Sequence, residues 1–126
     1  MDKTEENRAT IERFVREILM GGGQNFTDFI STETYIQHNP QVGDGLEGFG
    51  AFVAALAAEG KTMVYKYSYK VLAQGNFVVA YSLAQIGDDD LAVFDLFRLD
   101  NGLIVEHWDA MEPLPQGAAL VNQGKF

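Results

Sequence analysis

Asp95-Leu96-Phe97-Arg98-Leu99-Asp100-Asn101-Gly102-Leu103-Ile104-Val105-Glu106-His107-Trp108-Asp109 is the stretch that decides the fold. Asn-Gly between two apolar-rich runs predicts a β-hairpin, because a tight hairpin turn needs positive φ and these residues tolerate it. Strand alternation then puts His107 and Asp109 on one face, with Val105 and Met111, and Glu106 and Trp108 on the other. The side occupied by Asp95 depends on the loop. A two-residue Asn101-Gly102 loop pairs Asp95 with Trp108, whereas a three-residue loop with a bulge at Gly102 pairs it with His107. The bulged form is the expectation, since it groups Asp95, His107 and Asp109 and gives each acid a partner.

Upstream of the hairpin the period stays at two. Met63, Tyr65, Tyr67, Tyr69 and Val71 alternate with Val64, Lys66, Ser68, Lys70 and Leu72, which predicts a half-buried strand. Gly75-Asn76 predicts a turn, Phe77 to Ile86 a second strand, and Gly87 to Asp90 another turn. Pro113 and Pro115 end the sheet. Nearer the N-terminus the period becomes helical. Ile11, Phe14, Val15, Ile18 and Leu19 share one helix face, with Thr4 as the expected N-cap and Gly21-Gly22-Gly23 as the stop. Phe26, Phe29 and Ile30 fit a short helix. Leu46, Phe49, Phe52, Val53 and Leu56 form a second stripe, ended by Gly60. Between the helices Pro40 forces Asn39 out of the α region, so Tyr35-Ile36-Gln37-His38-Asn39-Pro40 should be extended or turned. Helices first and an antiparallel meander afterwards imply an α+β fold. Residues 1–126 read as a single domain, with 116–126 a C-terminal tail whose Val121 and Phe126 could dock.

The chain has 126 residues, 47% of them apolar, and a net charge of −9. That charge argues against a nucleic-acid or anionic-membrane partner, both of which need a basic surface. With no cysteine there is no disulfide, thiolate metal site or Cys nucleophile. The polar N-terminus does not read as a signal peptide, and no apolar run approaches the ~18 residues that span a bilayer. The expected location is the cytoplasm.

Candidate chemistry gathers at two histidine-bearing strings, Tyr35 to Pro40 and Glu106 to Asp109, and at Asp95, an acid in an otherwise apolar strand. Taken with Asp44-Gly45 and the apolar helix after it, these motifs resemble the SnoaL-like branch of the nuclear-transport-factor-2-like superfamily, closest to its polyketide-cyclase and aldol-condensation-type members. The likeness runs from the first helix to about Pro115. It implies a cone-shaped α+β barrel, also called cystatin-like, in which a curved antiparallel sheet wraps N-terminal helices around a pocket. It also implies that Asp109, seven residues after Gly102, stands where the cyclases carry a general base. The limonene epoxide hydrolases of the same superfamily need an Arg and an Asp on the strand matching Val78 to Ser82. Both are missing, which disfavours that chemistry. Relatives often carry a His near Tyr81, and a Tyr there can still donate a hydrogen bond.

The expected site is therefore Asp109 as base and His107 as enolate donor or proton relay, with Asp95 orienting it. His38, Tyr35, Asn39, Tyr81, Phe97 and Trp108 are the candidates for binding substrate. His38 could instead clasp the Asn39-Pro40 turn, and Trp108 could fill the core or lie on the outer face at a subunit contact. The tyrosine ladder fits a pocket wall but is more often the apolar face of a strand. No metal is expected, because the histidines lack tight ligand spacing, and no cofactor is implied. The partners expected are a small hydrophobic or carbonyl-containing ligand and a second copy in a homodimer. The functions in competition are a lyase or isomerase-like enzyme and a non-catalytic binding or dimerisation module of the same fold.

Overall fold

A computed structural model describes residues 2–40, 42–115, 122 and 124–126. In it the Asn101-Gly102 turn is tight, with φ of 52° and 79°, and Asp100 pairs directly with Leu103. The loop thus has two residues, not three. The bulge lies on the strand instead. Leu99 pairs with Ile104 but Arg98 with Glu106, so Val105 is the extra residue. That single insertion moves the register past both sequence expectations and sets Asp95 opposite Asp109 and Phe97 opposite His107. The expected grouping of Asp95, His107 and Asp109 on one face survives, by a different route.

The sheet has five strands in the order β1-β5-β4-β3-β2, with β1 Ile36–Gln37, β2 Met63–Gln74, β3 Phe77–Ile86, β4 Asp89–Asp100 and β5 Leu103–Pro113. Strands β2 to β5 form the antiparallel meander, while β1 adds a short parallel edge against β5. Two irregularities curve β2, since Tyr65 pairs with Ala84 but Tyr67 with Leu83, and Ser68 with Ser82 but Lys70 with Tyr81. They also break the tyrosine ladder. Tyr65 is buried on the concave side, whereas Tyr67 and Tyr69 are exposed.

Helix α1, Thr4–Phe14, crosses the concave face and continues as a π-helical turn over Val15–Leu19. Its cap departs from expectation. Thr4 lies inside the helix, its backbone N–H is taken by Asp2 Oδ1 at 2.8 Å, and its hydroxyl accepts from Gly75 N at 2.9 Å. The predicted stripe is buried at Ile11, Phe14, Val15 and Ile18 against Val78, Ala80, Phe97, Leu99 and Ile104. A 3₁₀ turn, Phe26–Asp28, brings in Phe29, whose ring lies 5.4 Å from that of Phe14. Helix α2, Gly45–Ala58, behaves differently. None of its residues is buried, and Phe49, Phe52, Val53 and Leu56 face a cavity between helix and sheet. Among the described residues no helix is long and apolar enough to cross a membrane.

At the C-terminus Val121 lies outside the described residues. Phe126 does dock, on the convex face, with its ring stacked 4.7 Å from that of Tyr81.

Candidate functional site

Parallel pairing of β1 with β5 builds the site. Gln37 stands beside His107, and the His38 N–H donates to the His107 carbonyl at 2.9 Å. Alternation then sends Gln37 and Asn39 to the concave side and His38 to the convex side. The chain is held there by Asp44, whose Oδ1 accepts from Gln37 N at 2.7 Å, and by Gly45 N donating to Tyr35 O at 2.8 Å.

The concave side encloses a cavity of about 420 Å³. Its walls are mostly apolar, and its polar groups concentrate where β1, β4 and β5 meet. Of the candidates named from sequence, Asp95, His107, Asp109, Tyr35, Asn39 and Phe97 line it. Three other candidates do not. Trp108 and His38 stack on each other on the convex face, their rings 4.7 Å apart and parallel within 1°. His38 Nε2 meets Glu106 Oε2 at 2.7 Å, and Arg98 Nε donates to Glu106 Oε1 at 2.8 Å. These contacts, with His38 first, hold the Glu106 carboxyl below its usual range. Tyr81 is also convex. Its neighbours Ala80 and Ser82 are fully buried, so alternation turns Tyr81 outward, where it stacks on Phe94 at 4.2 Å and donates to Lys125 O at 2.8 Å. The expectations for His38, Trp108 and Tyr81 as pocket residues are corrected accordingly.

Two residues that the sequence did not single out complete the network. Tyr65 donates its hydroxyl proton to Asp95 Oδ2 at 2.7 Å, and Gln37 Oε1 lies 2.8 Å from His107 Nδ1. The Gln37 amide has a defined orientation. Backbone N–H of Asn39 donates to the same Oε1 at 3.1 Å, and an N–H needs an oxygen there. Nδ1 of His107 must therefore carry a proton. The other ring nitrogen, Nε2, faces Asp95 Oδ1 at 2.8 Å and shares a proton with it. Gln37 was legible only as part of a string, and Tyr65 only as one rung of a ladder.

Asp109 is half-buried. Asn39 Nδ2 donates to both its oxygens, at 3.1 and 2.9 Å. Desolvation raises its pKa above the ordinary carboxylate value, and the Asn39 bonds and the His107 charge only partly offset this. Tyr35 is buried, and burial with the nearby Asp95 charge pushes its phenol far above the usual range, so it stays a neutral hydroxyl. Gln37 Nε2 donates to that oxygen at 3.3 Å, and among the described residues nothing accepts the Tyr35 proton.

Ligand atoms of Asp95, His107 and Asp109 lie within 4.8 Å of one another, close enough to suggest a cation site. The bonding pattern disfavours it. Both ring nitrogens of His107 and both oxygens of Asp95 are already engaged, and His38 faces the other way. A cation would have to break the histidine–carboxylate pair.

No family model and no curated protein sequence matches the chain. Solved structures do. A protein of Kribbella flavida, provisionally assigned as a ketosteroid isomerase, aligns over 100% of this chain and 95% of its own at 19% identity and TM-score 0.67. IdmH of Streptomyces antibioticus, provisionally a polyketide cyclase, covers 84% and 91% at 15% identity and TM-score 0.59. TsrD of Streptomyces laurentii covers 83% and 87% at 20% identity and TM-score 0.58. Identities this low speak to architecture and not to reaction, and what they establish is the fold, an α+β cone of the nuclear-transport-factor-2-like type.

Proposed function

We propose that the cavity binds a small, mostly apolar carbonyl compound and that Asp109 removes a proton from the carbon beside the carbonyl, without a cofactor. The observation that carries this reading is a single half-buried carboxylate of raised pKa on the wall of an apolar cavity. Desolvation makes Asp109 a stronger base than a carboxylate in water. Tyr35, a neutral hydroxyl with its proton unspent, donates to the enolate oxygen as negative charge develops there. The C–H electron pair becomes the enolate, the proton rests on Asp109, and the enolate either attacks an internal carbonyl or is reprotonated at another carbon. His107 does not reach the substrate as a free donor, because both its nitrogens are bonded. It stands beside Asp109 as a ring fixed in orientation by Gln37 and Asp95. The isomerase and cyclase assignments of two structurally similar proteins are in keeping with this chemistry.

The test is hydrogen exchange in heavy water, followed by NMR, across a panel of apolar cyclic ketones and 1,3-diketones. Exchange well above the buffer background for some of them is expected. No exchange across the panel, with ligands that still raise the melting temperature by mass action, would leave a binding module in place of an enzyme.

Gln37 is a positioning residue in this scheme. Gln37→Leu deprives His107 Nδ1 of its acceptor and should lower kcat by ~10–100-fold with a small change in KM. Gln37→Glu keeps an oxygen toward both His107 and Asn39 but turns its second oxygen on the Tyr35 hydroxyl, and should restore only part of the rate. Equal losses in the two variants would point to packing alone.

A further inference from the structure

Polar groups of the cavity fall into two sets. One is the Asp109–Tyr35–Asn39 end. The other is at the opposite rim, where Lys61, Thr62 and Gln24 stand at the far end of the apolar walls. Lys61 is the only Lys or Arg among the described lining residues. Lys61 is exposed, and its stem lies against the Gly87 turn at the rim, with Cγ, Cδ and Cε 3.6–3.7 Å from where a Cβ at Gly87 would be.

Lys61 is also without an acid. The chain has 18 acids to 9 Lys and Arg. Among the described residues ion pairs take up Arg8, Arg13, Arg16, Lys66, Arg98 and Lys125. Lys61 joins none, although Asp88-Asp89-Asp90 follows the turn its stem covers; Lys66 is the lysine that pairs with Asp90. Lys3 and Lys70 are likewise outside these pairs, but of the three only Lys61 lines the cavity, where an anionic ligand would meet it without competition from a fixed acid.

Spacing defines the ligand. β2 begins at Met63, which pairs with Ile86, and Ile86 pairs with Asp89. The Asp95–Asp109 rung lies six residues along β4 from there, ~20 Å of strand at ~3.3 Å per residue. Curvature and the reach of the side chains shorten this, which leaves room for a medium-length apolar body between the two ends. The cavity volume of about 420 Å³ falls within the usual range for small-molecule sites.

We infer that the ligand is an amphiphilic anion, a medium-length apolar body with its carbonyl at Asp109 and Tyr35 and a carboxylate held at the rim by Lys61. The carbonyl end rests on the function proposed above, and the carboxylate end does not. Decanoate and decan-1-ol, titrated calorimetrically below their aggregation limits, form the test, because neither is a ketone and no turnover is needed. The protein should bind decanoate about fivefold more tightly at low salt, against the field of its own net charge, with the preference fading at high salt. Lys61→Met should abolish the preference while leaving decanol binding unchanged, and Lys61→Glu should reverse it. Equal or weaker binding of decanoate by the unmodified protein, failure of both probes to bind, or an undiminished preference in Lys61→Met would each overturn the inference. A retained preference alongside absent hydrogen exchange would refute the reaction and keep the ligand class.

Discussion

Asp109→Asn is expected to lower turnover by ~10²–10⁴, the range that one positioned general base supplies, and to leave the fold intact. The fold should hold because the new amide is isosteric and its Oδ1 still accepts from Asn39 Nδ2. Stability gives an independent check. The folded-state pKa of Asp109 lies above its unfolded value, so folding favours the protonated acid. Stability therefore falls as pH rises through those two values, and at neutral pH the ionised, desolvated carboxylate opposes folding. The asparagine variant should melt at the same temperature as the parent or above it at pH 7, and lose any advantage in acid. A residue whose removal cripples exchange without weakening the fold is held for chemistry. A variant that exchanges ketone protons at the parental rate would take Asp109 out of the mechanism.

The same raised pKa fixes the rate profile. Only the ionised carboxylate accepts a proton, so kcat/KM should decline on acidification about a midpoint higher than the ordinary 3.8. Two neighbours set that midpoint in opposite directions, the His107 charge pulling it down and the Asp95 charge pushing it up.

Period and turn chemistry carried most of the architecture. The Asn101-Gly102 turn, the meander and the two helical stripes each follow from local pattern. What local pattern could not supply was every place where an extra residue enters a strand. Val105 on β5 and the two irregularities of β2 decide which side chains face inward. Each depends on how the closed sheet must curve, which is a property of the assembled layer. Tyr65 was thus hidden among tyrosines that point outward. The parallel contact of β1 with β5 was equally illegible, since two residues carry no periodicity. It is that contact which separates Gln37 and Asn39 from His38 and reverses the expectation for the histidine. Trp108 and Tyr81 follow the alternation rule, and it was resemblance that had drawn Tyr81 into the pocket.

Asp95→Ala should be the most destabilising single change at the site, by about 3–5 kcal/mol, equivalent to ~10–20 °C in melting temperature. Asp95 is 2% exposed and accepts from two buried donors, the Tyr65 hydroxyl at 2.7 Å and His107 Nε2 at 2.8 Å. Removing it leaves both without an acceptor where water does not reach. Asp95→Asn separates the two losses. Its amide oxygen can still accept from His107 while its NH2 donates to the Tyr65 oxygen, so each neighbour keeps one bond, and what is lost is the charge and the acceptor for the Tyr65 proton. About half the destabilisation should remain. Urea unfolding of the two variants measures this directly. If the alanine variant unfolds within about 1 kcal/mol of the parent, the buried pair does not hold the hairpin to β2. The cost matters for function because Asp95 stands directly opposite Asp109, and like charges across a rung repel. The sheet tolerates that repulsion because Tyr65 and His107 hold Asp95 in place, and the same repulsion helps keep Asp109 basic enough to take a carbon-bound proton.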